Sequence, residues 1–167
     1  MKNKTLILDK TDIEQKVKRL SYEILEDNYD EKHLVFIGVK GGGVVFAERI
    51  ISYINTISKI ETSLYLVEVN KENPLLNEVI LNTPPVNLNN KTIILVDDVA
   101  NSGKTLCYAL KPLLNALPKK IQIAVLVDRK HKKYPVSADY IGLSLSTTMK
   151  EHISVELSQK NDIVYLQ

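Results

Sequence analysis

Four apolar residues, Ile93-Ile94-Leu95-Val96, deliver two adjacent carboxylates, Asp97 and Asp98, to the start of a turn of small residues. That turn, Val99-Ala100-Asn101-Ser102-Gly103-Lys104-Thr105, passes into a segment that reads as a helix from about Gly103. Small side chains let backbone N–H groups close on an anion, and a helix N-terminus adds unpaired donors and the positive end of its dipole. The hydroxyls of Ser102 and Thr105 can add hydrogen bonds. Such a turn suits a phosphate monoester. The two acids would repel that phosphate if they faced it. They suit neutral sugar hydroxyls instead, or a divalent cation held by those hydroxyls. An acid pair before a helix is often no more than a solvated strand end and a cap. Here the apolar run, the acids, the small-residue turn and the helix come in order, which favours a site. The phosphate loop of nucleotide hydrolases does not fit, because its first glycine would fall on position 98, which is Asp.

A second cluster, Gly38-Val39-Lys40-Gly41-Gly42-Gly43, follows the apolar run Leu34–Ile37. Alone it reads as a tight turn. Beside the first cluster, Gly41, Gly42 and Gly43 offer backbone donors to a second anion, and Lys40 offers charge. A third cluster, Val127-Asp128-Arg129-Lys130-His131-Lys132-Lys133, follows the apolar run Ile121–Val127. Arg129 is the candidate there, while Lys130, Lys132 and Lys133 read as a solvated basic turn. His33 and His152 lack metal-ligand spacing and receive no role, and Cys107 reads as a small core residue.

The elements that must position these clusters follow from periodicity. Ile13, Val17, Leu20 and Ile24 recur at helical spacing behind Thr11 and Asp12, so the pattern predicts a helix to about Asn28 capped by one of those two. Leu34–Ile37, Glu61–Val69, Ile93–Val96 and Ile121–Val127 read as strands, and Val44–Ile54 as a helix. Segments near Tyr140–Gly142, Ile153–Leu157 and Ile163–Leu166 read as strands that finish the sheet or build a small lobe. Asn70–Asn90, polar and carrying Pro74, Pro84 and Pro85, reads as a flap. Pro112 is expected to kink or divide its helix near Lys111. Apolar strands alternating with helices imply an α/β fold with a mostly parallel sheet covered on both faces. Ligands of such sheets sit beyond the carboxyl ends of the strands, where all three clusters fall.

The 167 residues suit one domain, 1–167, large enough to bury a core unaided. A single cysteine excludes an intrachain disulfide and suits a reducing cytosol. The sequence has no apolar run of 18 residues, and Met1–Asp9 lacks the pattern of a secretory signal, so a cytoplasmic protein is expected. A net charge of +2 neither demands nor excludes a nucleic-acid partner.

The segment Ile93–Thr105 resembles the phosphoribosyl pyrophosphate (PRPP) signature of the type I phosphoribosyltransferases. The resemblance implies that fold, with a small hood or flap over the sheet. It implies that Asp97 and Asp98 contact the ribose hydroxyls and, through them or through water, Mg²⁺. Residues Val99 to Thr105 would wrap the 5-phosphate, and Lys40 to Gly43 would form the pyrophosphate loop. Further matches lie in Leu6–Asp9, Arg19–Ile24, Ile121–Arg129, Ala138–Gly142, Thr147–Glu151 and Asp162–Leu166. Together they resemble the PyrR type, which couples uracil phosphoribosyltransferase activity to attenuation of pyrimidine operons through RNA. The resemblance implies transfer of ribose 5-phosphate from PRPP to a nucleobase, most simply uracil, and a homo-oligomer, dimer or tetramer. It places the base near Tyr140, Ile141, Thr147 and Thr148. A nucleotide-sensing RNA-binding regulator, touching RNA through Lys16, Lys18 and Arg19 or through Arg129–Lys133, and a purine-base enzyme are the competing expectations. Three departures bear on that choice. The type's Lys-Thr-Arg-Gly is here Lys40-Gly41-Gly42-Gly43, its Leu-Tyr-Arg-Asp-Asp is here Leu64–Glu68, and its helix histidine is here Tyr22. They concern the acceptor base and RNA, not the ribose phosphate.

Overall fold

The longest apolar runs become the middle of one sheet, because a strand covered on both faces tolerates no polar alternation. The computed structural model describes residues 4–148, 151–158 and 161–167. In chain order the elements are β1 Thr5–Leu8, α1 Lys10–Asp27, β2 His33–Val39, α2 Gly42–Ile57, β3 Glu61–Glu68 and β4 Ile80–Leu81. A 3-10 turn at Pro85–Leu88 is followed by β5 Thr92–Ala100, α3 Lys104–Leu113, β6 Lys120–Arg129, β7 Tyr140–Leu145, β8 Ile153–Leu157 and β9 Asp162–Leu166. The main sheet has the order β4-β3-β2-β5-β6-β7. All its pairings are parallel except β3 with β4. Helices α1 and α2 cover one face, around Phe36, Ile94, Val96 and Leu126. Helix α3 covers the other, around Ile37, Leu95 and Val125. Among the described residues no helix is long and apolar enough to cross a membrane.

Two of the late segments leave this sheet. β8 and β9 pair antiparallel, and β1 joins them to make a three-stranded hood, order β1-β9-β8. Within the Thr147–Glu151 match, Met149 and Lys150 lie outside the described residues, as do Met1, Lys2 and Asn3 at the start.

The cap of α1 corrects the expectation from the sequence. Asp9, not Thr11 or Asp12, is the N-cap. Its carboxylate accepts from the Asp12 N–H at 2.9 Å, and the Asp12 carboxylate accepts from the Asp9 N–H at 3.1 Å. This reciprocal pair satisfies two orphan donors, which Thr11 could not do from inside the first turn. Pro112 lies one residue before the end of α3, so it coincides with termination and divides nothing.

The hood is held to α2 by one ion pair. The Arg49 guanidinium donates to both carboxylate oxygens of Asp162, at 2.7 Å for one and in a very short contact for the other. Asp162 is 9 % exposed. The Arg49 guanidinium holds the Asp162 carboxyl below its ordinary value of 3.8. A lowered folded value stabilises above the ordinary carboxylate range, and that contribution fades as pH falls through the folded value. Arg49→Met strands the carboxylate. Its expected cost is about 2–3 kcal/mol, at the lower end for a buried pair because Arg49 is partly solvated. That corresponds to a melting point roughly 5–10 °C lower at neutral pH, with the gap from wild type narrowing in acid. Thermal melts at two pH values check it.

Candidate functional site

β5 carries the site. In register, Val96, Asp97 and Ala100 lie opposite Ala124, Val125 and Asp128 of β6, so the acids sit at the carboxyl edge of the sheet's centre. Both belong to the strand itself, one row short of the turn. Asp97 is 2 % exposed. Its carboxylate accepts from the Asp98 N–H at 2.9 Å, and the Asp98 carboxylate accepts from the Val99 N–H at 2.9 Å. Burial first, and the neighbouring Asp98 charge second, push the Asp97 carboxyl well above its ordinary value. A group in that condition gains by meeting hydroxyl donors or a cation.

The turn then enters α3 through Gly103, whose φ of 83° is left-handed. A side chain there would be strained by φ and would also strike Val136, 2.5 Å from an added Cβ. The first turn of α3 holds no acid. The Lys104 N–H donates to Ser102 Oγ at 3.3 Å, and the Cys107 N–H to the Gly103 carbonyl at 2.9 Å. The head of α3 borders a cavity of about 360 Å³. Asp97, Asp98, Val99, Ala100, Asn101, Ser102, Gly103, Lys104 and Thr105 all line it. The acid pair and the turn into α3 thus share one chamber.

The glycine loop packs against the acid pair, although Gly41, Gly42 and Gly43 do not line the chamber. A Cβ on Gly42 would lie 2.1 Å from Asp98 Oδ2, and one on Gly43 would lie 2.6 Å from the Val96 carbonyl. Close approach, not turn geometry, accounts for these two glycines. Gly41 has a φ of 100° and caps α2. Lys40 does not face the chamber: its ammonium lies 2.8 Å from the Glu68 carboxylate.

The basic turn after β6 behaves differently from its expected role. Arg129 donates to Thr147 Oγ1 and, at 2.6 Å, to the Thr148 carbonyl, and it does not line the cavity. Lys132, expected to be solvated, is the most engaged cation among the described residues. Its ammonium donates to the carbonyls of Ala100 at 3.4 Å, Asn101 at 3.2 Å and Arg129 at 2.9 Å, and to the Asp128 carboxylate. Lys133 and Tyr134 add N–H bonds to the Ser102 carbonyl at 2.9 and 3.1 Å. These bonds engage the carbonyls of Ala100, Asn101 and Ser102 and so hold the shape of the turn. Lys132→Met is therefore expected to weaken every monoester-bearing ligand about tenfold, PRPP and nucleoside monophosphate alike, with Lys132→Arg restoring part of it. Titration of both ligands checks it.

The four residues expected near the base lie apart from this cavity. Tyr140 is 2 % exposed, and its hydroxyl donates to Asp27 at 3.1 Å and accepts from Asn28 at 3.3 Å, on the α1 side of the sheet. Ile141 packs against the α3 face, and its carbonyl accepts from Arg19 at 2.9 Å. Both lie at the start of β7, away from the carboxyl edge. Thr147 and Thr148 are occupied by Arg129 and by Glu151, which accepts from Thr148 Oγ1 at 2.9 Å. None of the four lines the cavity. The walls that the sequence did not reveal are Lys71 of the flap and His152, Ile153, Ser154 and Val155 of the hood. No local pattern marks them, since they arrive through hood pairing and the flap.

A divalent cation fits here only as a shared guest. Among the described residues no three His, Cys, Asp or Glu side chains come together. Asp97 and Asp98 supply two carboxylates, and oxygens of the ligand and water would complete the shell.

Comparison with known proteins agrees with this geometry. The phosphoribosyl transferase domain family matches residues 4–160. The bifunctional protein PyrR of Clostridium kluyveri is 36 % identical over 165 residues, covering 95 % of this chain and 93 % of that one. The bifunctional protein PyrR of Bacillus subtilis is 32 % identical over 178 residues, covering 98 % and 97 %. Among solved structures, a hypoxanthine-guanine phosphoribosyltransferase from Bacillus anthracis superposes with a TM-score of 0.71 at 26 % identity, covering 86 % of this chain and 84 % of that one. The hypoxanthine phosphoribosyltransferase of Trypanosoma cruzi has a TM-score of 0.79 at 18 % identity, covering 98 % and 96 %, a likeness of fold alone. The family match over residues 4–160 and relatives of this identity and coverage, on this sheet, mark the chain as a member of the phosphoribosyl transferase domain family, within it of the PyrR proteins.

Proposed function

We propose that the chamber binds PRPP and transfers its ribose 5-phosphate to uracil, giving UMP and pyrophosphate. The observation that carries this is the shared chamber: donors for a monoester at the head of α3, carboxylates for the ribose hydroxyls beside them, and a glycine loop packed against Asp98. In this reading residues Val99 to Thr105 hold the 5-phosphate, and Asp97 and Asp98 hold the 2- and 3-hydroxyls. The diphosphate lies toward Gly41, Gly42 and Gly43. Lys40 and Arg129 flank it once they leave Glu68 and Thr147. The base lies under His152–Val155, as the chamber's remaining wall. Mg²⁺ held with the diphosphate would neutralise charge on the leaving group. The protein's own contribution is positioning. It aligns the base nitrogen with C1 so that the new bond forms as the bond to diphosphate breaks, with loss of that nitrogen's proton. The flap Asn70–Asn90 excludes water that would otherwise take the base's place.

The test is UMP formation from uracil and PRPP with Mg²⁺. Product from hypoxanthine or guanine instead would move the acceptor to purines. No product with any nucleobase would sink the enzymatic reading.

The word bifunctional in the names of the curated relatives favours a second activity in the cytoplasm, binding of RNA under control of the nucleotide. Lys18 is exposed and Lys16 half-buried on α1, and both suit RNA phosphates. Arg19 is spent on Glu23 at 2.6 Å and on the carbonyls of Ile141 and Gly142. Anisotropy titration of pyrimidine leader RNA, with and without UMP, tests this. Absence of binding at low salt dismisses it.

A further inference from the structure

The turn after β6 grips two neighbouring segments at once. Its second half holds the phosphate turn: Lys132 reaches the Ala100 and Asn101 carbonyls, and the Lys133 and Tyr134 N–H groups reach the Ser102 carbonyl. Its first half holds the segment that leaves β7 for the hood. The Lys130 N–H donates to the Leu145 carbonyl at 3.0 Å. Arg129 donates to Thr147 Oγ1 and to the Thr148 carbonyl. His131 Nε2 lies 2.5 Å from the Thr147 carbonyl. A carbonyl can only accept, so Nε2 carries the hydrogen. The Glu151 carboxylate closes the segment, accepting from the Thr148 N–H at 2.6 Å and from its hydroxyl at 2.9 Å.

The chain so held runs on into the hood wall. β8 is an edge strand of the hood. His152 and Gln167 exchange both backbone bonds, at 2.8 and 2.9 Å. In the ladder that follows, Ile153 and Val155 therefore turn their N–H and C=O groups away from β9, to the side no strand covers. Both residues line the chamber. A planar base carries N–H and C=O groups of its own, and pairing them with that edge requires the edge to be held in place. Arg129 serves this poorly, because in the proposed reaction its guanidinium leaves Thr147 for the diphosphate. The His131 imidazole makes no other hydrogen bond or ion pair among the described residues, so it has no competing task.

We propose that His131 is a positioning residue for the base, its bond to the Thr147 carbonyl fixing the segment that sets the β8 edge. This rests on the phosphoribosyl reading of the chamber, with the base under the hood. The test is calorimetric titration of ribose 5-phosphate and of UMP, which differ by the base, into wild type, His131→Ala and His131→Gln. The KM for uracil at saturating PRPP is measured alongside. His131→Ala is expected to weaken UMP and raise the uracil KM by about 3- to 10-fold, as for loss of one neutral hydrogen bond. Ribose 5-phosphate stays within about twofold. His131→Gln, whose amide N–H can reach the same carbonyl, recovers most of the loss. His131 is exposed, so both variants are expected to melt with wild type. Unchanged UMP affinity and uracil KM would overturn the proposal. Equal weakening of ribose 5-phosphate, or a Gln variant no better than Ala, would do the same. A wild-type protein that binds UMP no more tightly than ribose 5-phosphate would instead defeat the placement of the base under the hood, and one that binds neither would defeat the reading of the chamber, the proposal falling with it in both cases.

Discussion

Asp97→Asn together with Asp98→Asn abolishes useful PRPP binding and leaves a protein that melts no lower than wild type. Each carboxylate is expected to accept from a ribose hydroxyl. Charge-assisted bonds of this kind contribute roughly 1.5–3 kcal/mol apiece, so the pair accounts for about 100- to 10,000-fold in affinity. Stability moves the other way. The Asp97 carboxylate is buried beside a like charge, which raises its folded value above the ordinary 3.8. The native state therefore holds the proton more tightly than the unfolded chain, and stability falls as pH rises from 3.8 through the raised value. Asn keeps the oxygen that accepts from the Asp98 N–H and removes the buried charge. Calorimetry with PRPP beside thermal melts at neutral pH measures both effects. A variant that lost its fold, or one that bound PRPP as before, would contradict the assignment. The site spends stability on function here, as pre-organised charge generally does.

Gly42→Ala is the second large effect, and it acts through Asp98. The added methyl would lie 2.1 Å from Oδ2 and 2.5 Å from Cγ, closer than any carbon is accepted. Either the head of α2 retreats or the Asp98 carboxylate turns away from the sugar. Overpacking of this kind costs about 1–3 kcal/mol of stability. Loss of one carboxylate contact weakens PRPP by a further factor of about 10–100. Titration and melting again separate the two. Gly38→Ala is the control. Its Cβ would strike the Val44 Cα at 2.6 Å, a similar crowding between β2 and α2 that touches neither acid. It is expected to lower the melting point while sparing PRPP affinity. Equal loss of affinity in both variants would show that general disruption, not displacement of Asp98, is responsible.

The parts of the site legible in the sequence are those that one stretch of chain builds. Ile93–Thr105 carries its strand, its acids, its turn and its helix start in order, and Asp97 to Thr105 all line the chamber. The parallel sheet was legible for the same reason, since unbroken apolar runs admit few other roles. What escaped is long-range. Lys71 reaches the site on a flap whose turn is set by Asn70, and His152–Val155 reach it because β8 pairs with β9, which pairs with β1 at the far end of the chain. The sequence directs the base to the segment Tyr140–Thr148, whose backbone groups could read its edge, and Tyr140 and Ile141 lie outside the chamber. A parallel strand offers its last residues to the ligand, and those two are its first. Lys132 was read as solvated because a lysine in a polar turn carries no sign of the three carbonyls it gathers.

The most direct test is a crystal structure of the protein soaked with UMP. The account predicts the phosphate at the head of α3, its oxygens within hydrogen-bond distance of backbone N–H groups between Ala100 and Thr105, and both ribose hydroxyls on Asp97 and Asp98. A phosphate bound elsewhere, or carboxylates turned from the sugar, would contradict it.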